Sequence, residues 1–156
     1  MYLHILVPLD GSELAECVLP HVKSMAGLLK GRKKISLVRV VKPLHLYEGV
    51  ESSLPPEERQ RLEKDSSQIA KDYLEQITAK LNLRQVTVET VVLFGQITEQ
   101  MVDFVEKNGV DLIIIATHGR SGISRWFAGS IADRLIRSSH VPVLVVRPPE
   151  CQVPLT

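Results

Sequence analysis

The stretch from Asp111 to Arg147 holds the most distinctive chemistry in the chain: DLIIIATHGRSGISRWFAGSIADRLIRSSHVPVLVVR. The apolar run Leu112–Ala116 ends in a loop containing Gly119, Gly122 and Gly129. Ser130 then opens a helical pattern, and a second apolar run goes from Val141 to Val146. Strand, glycine loop, helix start and strand together form an arrangement that cradles phosphate. Glycine lets backbone approach an anion closely, and a helix start presents free N–H groups at the positive end of its dipole. The chain is therefore a nucleotide-binding candidate. It contains no G-x-G-x-x-G and no G-x-x-x-x-G-K-[ST], so it carries neither a dinucleotide fingerprint nor a P-loop. Gly119-Arg120-Ser121-Gly122 is a GxxG, as in KH domains, but it follows a buried strand, which argues against that fold.

Each candidate also has a plain structural role. Gly119 and Gly129 flank one loop at a helix start, which favours phosphate contact over simple turn duty. Gly122 reads as a flexibility element. Ser130 either offers its hydroxyl and N–H to phosphate or caps its own helix. Asp10 closes the first apolar run and is a turn carboxylate, a ligand contact, or both. His118 reads as a turn histidine with its ring in solvent. Arg120 and Arg125 are solvated loop arginines or phosphate clamps, and Trp126-Phe127 anchors the loop. No Ser-His-Asp spacing, H-E-x-x-H or cysteine–histidine cluster occurs, so no catalytic residue is assigned and the metal ligands are unknown. Asp10 has no paired acid, which removes a phosphoryl-accepting receiver domain.

These residues need elements to position them. Residues 4–9 form a short apolar run ending in Asp10-Gly11-Ser12, a strand then a turn. From Ser12, apolar residues recur at helical spacing through Leu29, with Ser12 as N-cap. Pro20 inside that pattern must kink the helix or move its start. Residues 35–41 are a second strand, 43–56 a long connector, and 57–81 an amphipathic helix with Leu62, Ile69, Ala70, Tyr73, Leu74, Ile77 and Leu81 on one face. Residues 86–93 are a third strand, partly exposed. A helix after Gly95 turns Ile97, Met101, Phe104 and Val105 inward and stops at Asn108-Gly109. Leu112–Ala116 is the fourth strand. Residues 130–137 are a helix with Ile131, Ala132, Leu135 and Ile136 at helical spacing, and 141–146 the fifth strand.

Strands alternating with helices predict an α/β fold: one domain over 1–156, a doubly wound five-stranded parallel sheet of order 3-2-1-4-5 with helices on both faces. In that order strands one and four are neighbours whose outgoing connections leave toward opposite sides. The crevice opens at their C-terminal ends. The loops feeding it are 10–12 and 117–130, the two with the most unusual chemistry. Strand five then lies at an edge without charge, and its one breaker, Pro142, lies near its beginning. Such an edge needs a cover, most simply the same strand of a second copy in antiparallel, two-fold pairing.

Composition bounds the rest. With 156 residues there is room for a real core; 44% of residues are hydrophobic and 24% charged, as in ordinary soluble domains. A net charge of +1 and an aromatic content of 4% give no case for nucleic acid. No run reaches the ~18 apolar residues of a membrane span. Cys17 and Cys151 lie in no C-x-x-C pair and read as free thiols in a reducing, cytoplasmic setting.

One larger pattern remains. Ala116-Thr117-His118-Gly119, nine residues, then Gly129-Ser130 resembles the phosphate and ribose loop of the universal stress protein family, whose ATP-binding branch shows G-x2-G-x9-G-[ST]. Ala116 stands where that branch has its first glycine. ILVPLDGS, VRVVKP and VPVLVVRP extend the resemblance over the whole chain. It implies an ATP-binding, stress-responsive module, with ADP or AMP as alternative ligands and Mg as an accompanying ion. In the family the Asp matching Asp10 lies near adenine and ribose, and the position of Val40 packs against adenine. The implied binding set is Pro8, Leu9, Asp10, Val40, Ala116, His118, Gly119, Arg120, Gly129, Ser130 and Ile131. It also implies a homodimer through the strand from Val141 to Val146. ATP would order the loop 119–128 and change the surface offered to a protein partner. The alternatives are a dimeric interaction module that binds no nucleotide, and a slow Mg-dependent ATPase.

Overall fold

The computed structural model describes residues 2–28, 33–43, 55–117 and 131–147. Five strands run β1 (His4–Pro8), β2 (Lys34–Val41), β3 (Thr87–Phe94), β4 (Leu112–Ala116) and β5 (Val143–Val146). They form one sheet of order β3-β2-β1-β4-β5, parallel throughout, as expected. Ile5 sits opposite both Ile35 of β2 and Leu112 of β4, so β1 is the centre of the sheet.

Successive side chains of a strand point to opposite faces. Ile5 and Val7 of β1 enter one buried cluster, with Leu37 of β2, and Leu6 enters the other. The first cluster is closed by α1 (Glu13–Glu16), α2 (Leu19–Leu28) and α3 (Pro56–Leu81), through Ala15, Val22, Leu74 and Ile77. The second is closed by α4 (Ile97–Asn108) and α5 (Ile131–Ser138), through Met101, Phe104, Ala132 and Leu135. Both faces are therefore buried, and the strands read as apolar runs rather than alternating ones.

The helix boundaries follow local chemistry. The Ser12 side chain accepts the Ala15 N–H at 3.1 Å and caps α1. Pro20 splits the helical pattern of residues 12–29: α1 ends at Glu16, Cys17 and Val18 form i→i+3 bonds to Leu14 and Ala15, and α2 restarts at Leu19. A proline has no N–H to give and clashes with the carbonyl four residues back, so it sits in a helix's first turn. Asn82 and Gly109 close α3 and α4 in the left-handed region, at φ 45° and 64°. β5 begins two residues later than expected, at Val143; Pro142 contributes only its carbonyl, which accepts the Ile113 N–H at 3.0 Å.

Two expected apolar faces are corrected. In α3, Ala70, Leu74, Ile77 and Leu81 are buried, but Leu62 and Ile69 are 40% and 62% exposed. The first half of this 26-residue helix has no buried residue. In α5, Ala132 and Leu135 are buried while Ile136 is 45% exposed.

The N-terminal end of the sheet is tied by polar groups. Asp111 accepts the Leu3 and His4 N–H groups at 2.7 and 3.1 Å. The buried His4 ring donates from Nδ1 to the Asn108 carbonyl at 3.0 Å and lies 2.7 Å from Ser36 Oγ through Nε2. Ser36 donates to Glu89, which pairs with Lys34 at 2.8 Å. Lys33, also buried, donates to the Ala26 carbonyl near the end of α2 at 3.1 Å. Cys17 is free and half-buried; Cys151 lies outside the described residues. Among the described residues, no helix is long and apolar enough to cross a membrane.

Candidate functional site

At the C-terminal end of the sheet the chain opens instead of closing. β1 connects to helices on one face, and β4 leads to α5 on the other. Neighbouring strands whose connections part in this way leave a crevice between them. Here it is a cavity of about 350 Å³. Pro8, Leu9 and Asp10 line it from the end of β1, and Ile115, Ala116 and Thr117 from the end of β4. Val40 contributes from β2, Leu14 and Ala15 from α1, Ile97 and Met101 from α4, Ile131 and Ala132 from α5. The volume falls within the range of about 300–1,000 Å³ usual for small-molecule sites, and mostly apolar walls with few polar groups are their usual composition.

The polar groups are well defined. Asp10 Oδ1 accepts both the Ser12 N–H at 2.9 Å and the Ser12 hydroxyl at 2.6 Å. One carboxylate oxygen thus shapes the turn, and Oδ2 is not committed to it. Gly11, at φ 90°, lets the chain reverse there. Thr117 is buried, and its N–H donates to the Val146 carbonyl at 2.9 Å, which carries the β4–β5 ladder up to the cavity rim. Ile97 and Ile131 also line a second, more polar recess of about 410 Å³, with Lys42 and Arg134 on its walls.

Pro8, Leu9, Asp10, Val40, Ala116 and Ile131 were expected to share a site, and the fold brings all six to this cavity. His118, Gly119, Arg120, Gly129 and Ser130 lie outside the described residues, as do Gly122, Arg125, Trp126 and Phe127. Leu14, Ala15, Ile97, Met101, Ile115, Thr117 and Ala132 were not singled out as site residues. Ile97 and Met101 were legible as inward-facing residues of α4. They reach the cavity because they occupy the helical turns nearest the open end of the sheet. Thr117 directly follows a strand end that was itself a candidate.

The groups with shifted proton affinity lie away from the cavity wall. Burial lowers His4, assisted by Lys34 and opposed by the Asn108 carbonyl, Glu89 and Asp111. Burial would raise Glu89, but Lys34, Ser36 and His4 outweigh it and hold the carboxyl below its usual range. Burial raises Cys17. Among the described residues no three His, Cys, Asp or Glu side chains gather as metal ligands.

The model of the Universal stress protein family matches residues 1–147. The chain belongs to the universal stress protein family. Universal stress protein MJ0577 of Methanocaldococcus jannaschii is 32% identical over 157 residues, a match that takes in 94% of this chain and 96% of that protein. The solved structure of MJ0577 superposes with a TM-score of 0.77 at 31% identity, over 96% of this universal stress protein and 99% of the other chain. Two more distant structures share the fold. One is an Arabidopsis thaliana universal stress protein family protein with AMP bound, with a TM-score of 0.64 at 12% identity, covering 98% and 96% of the two chains. The other is the Archaeoglobus fulgidus universal stress protein in complex with dAMP, with a TM-score of 0.56 at 21% identity, covering 92% and 97%.

Proposed function

We propose that this universal stress protein binds an adenine nucleotide in the cavity between β1 and β4, and acts as a ligand-linked regulatory module rather than an efficient enzyme. The observation that carries the reading is the convergence of Pro8, Leu9, Asp10, Val40, Ala116 and Ile131 on one apolar cavity at the reversal of strand order. A purine ring suits such a place: Val40, Met101 and Ile115 offer flat apolar contact, and Asp10 Oδ2 offers an acceptor to a ribose hydroxyl or a ring amine. The AMP and dAMP held by two fold relatives support the same ligand class. ATP is the ligand inferred for this chain, with Gly119, Gly129 and Ser130 contacting phosphate and His118 and Arg120 beside them, on the strength of the family loop pattern. Mg would accompany the phosphates.

The working unit on this reading is one domain over 1–156 in the cytoplasm, where the free thiol of Cys17 fits a reducing setting. It pairs into a homodimer along β5, and nucleotide occupancy changes the surface shown to a protein partner. The test is to purify the protein without added nucleotide, denature it, and separate the supernatant by anion exchange. Adenine absorbance in proportion to the protein, or saturable uptake when ATP is added back, is expected. The absence of both signals would overturn the reading. Phosphate release faster than about one turnover per second, an ordinary enzyme rate, would overturn its non-enzymatic part.

A further inference from the structure

β2 serves the cavity from one face and the neighbouring turn from the other. Val40 lines the cavity. Arg39, one residue earlier, points to the opposite face. A Cβ placed on Gly11 would lie 3.2 Å from Arg39 Nη1 and 3.3 Å from both Cζ and Nη2. Three guanidinium atoms equidistant from one point mean that the flat of the group, not an N–H edge, faces Gly11. On the α3 side, Cζ is 5.3 Å from the centre of the Tyr73 ring. The guanidinium therefore meets the Asp10–Ser12 turn through its flat side and also lies over an aromatic ring. It is half-buried, and it makes no hydrogen bond or ion pair among the described residues. A cation in that position is held by its faces.

Tyr73 matches this use. Its hydroxyl is buried beside the Glu16 carboxylate, while its ring makes the contact with Arg39. Burial, then the nearby Glu16 and Asp10 carboxylates, push the phenol well above its usual range, so the ring stays neutral. Gly11 completes the stack. At φ 90° any side chain would be strained, and a Cβ would press on the guanidinium. Without the guanidinium, the most permissive residue of the turn would border a gap.

We propose that Arg39, held against Tyr73, is a positioning residue for the ligand site: it braces the Asp10–Ser12 turn from the far face of the sheet and so holds the Asp10 carboxylate at the cavity rim. The effect on affinity rests on the nucleotide reading above; the effect on the turn does not. The experiment measures amide hydrogen exchange by NMR at Ser12 and Ala15, whose N–H groups bond Asp10 and Ser12. ATP affinity is measured on the same samples. The variants are Arg39→Met, Tyr73→Leu, Tyr73→Phe and the double Arg39→Met/Tyr73→Leu.

Arg39→Met and Tyr73→Leu are expected to speed exchange at those two amides and leave β4 amides protected. They should weaken ATP about fivefold, the equivalent of about 1 kcal/mol. The double variant should lose no more than either single one, since both remove one stack. Tyr73→Phe should behave as wild type, because it keeps the ring. Wild-type exchange at Ser12 and Ala15 in Arg39→Met would overturn the brace whatever ATP does. Additive losses in the double variant would overturn the shared stack. A loosened turn with unchanged ATP affinity would overturn its role at the site. A wild type that binds no ATP would overturn the nucleotide reading, and the exchange result then decides the brace alone. Should Arg39→Met not fold, the contrast between Tyr73→Leu and Tyr73→Phe carries the same test.

Discussion

The Asp10 carboxylate shapes its turn through one oxygen: Oδ1 takes both Ser12 donors, and on the proposed function Oδ2 is the atom that meets a ligand. Asp10→Asn keeps an acceptor for the turn and changes only the charge. Asp10→Ala releases both donors. For Asp10→Ala the expected loss of stability is about 1 kcal/mol, because the freed donors are at the surface and water replaces the carboxylate. The expected loss of ATP affinity is about tenfold, the worth of one hydrogen bond to a charged group. Urea unfolding and ATP titration of both variants check this. A loss of affinity in Asp10→Ala with full affinity in Asp10→Asn would show that an acceptor suffices there. At this scale the sequence was informative where residues sit next to strand ends, as Pro8, Asp10 and Ala116 do. It was silent where partners meet across the fold. No spacing rule brings Arg39 under Gly11, or joins His4, Ser36 and Glu89 across three strands, because those contacts depend on the register of β1, β2 and β3.

Element order was legible because each strand is a short apolar run bounded by turn residues, and each helix has a long apolar period. Burial along a helix was less legible. Period alone marks Leu62, Ile69 and Ile136 as inward, yet a residue is buried only where another element faces it, and the first half of α3 has no buried residue. The edge strand makes a sharper case. The Pro142 and Val146 carbonyls accept from Ile113 and Thr117 on the β4 side. By alternation, the backbone groups of Val143 and Val145 face the open edge. Val146 is buried in the core, so a lysine there would test folding rather than association. Leu144, 38% exposed, is the side chain to charge, and Val145→Pro removes one outward N–H without touching the β4 ladder. By light scattering at tens of micromolar the wild type is expected to be dimeric and Leu144→Lys/Val145→Pro monomeric. A monomeric wild type, or a dimeric variant, would remove β5 as the interface.

For the molecule as a whole, polar groups close one end of the sheet and the cavity occupies the other. The closed end sets the response to acid. His4 is depressed in the folded state, so the stability it contributes is present above its unfolded value of 6.5 and is lost as pH falls below it. Glu89 is depressed as well, and its contribution is lost from its unfolded value of 4.5 downward. Unfolding midpoints should therefore decline in two stages on acidification, and His4→Gln should remove the first. A midpoint that rises between neutrality and pH 5 would contradict this. The open end carries the central claim, that an adenine nucleotide occupies the cavity between β1 and β4. Calorimetric titration with ATP, comparing wild type with Val40→Trp, tests it most directly, because the larger ring fills the cavity from a wall residue without altering the family loop. One saturable site per wild-type chain and no measurable binding in a folded Val40→Trp are expected. Equal binding in the two, or none in the wild type, would contradict it.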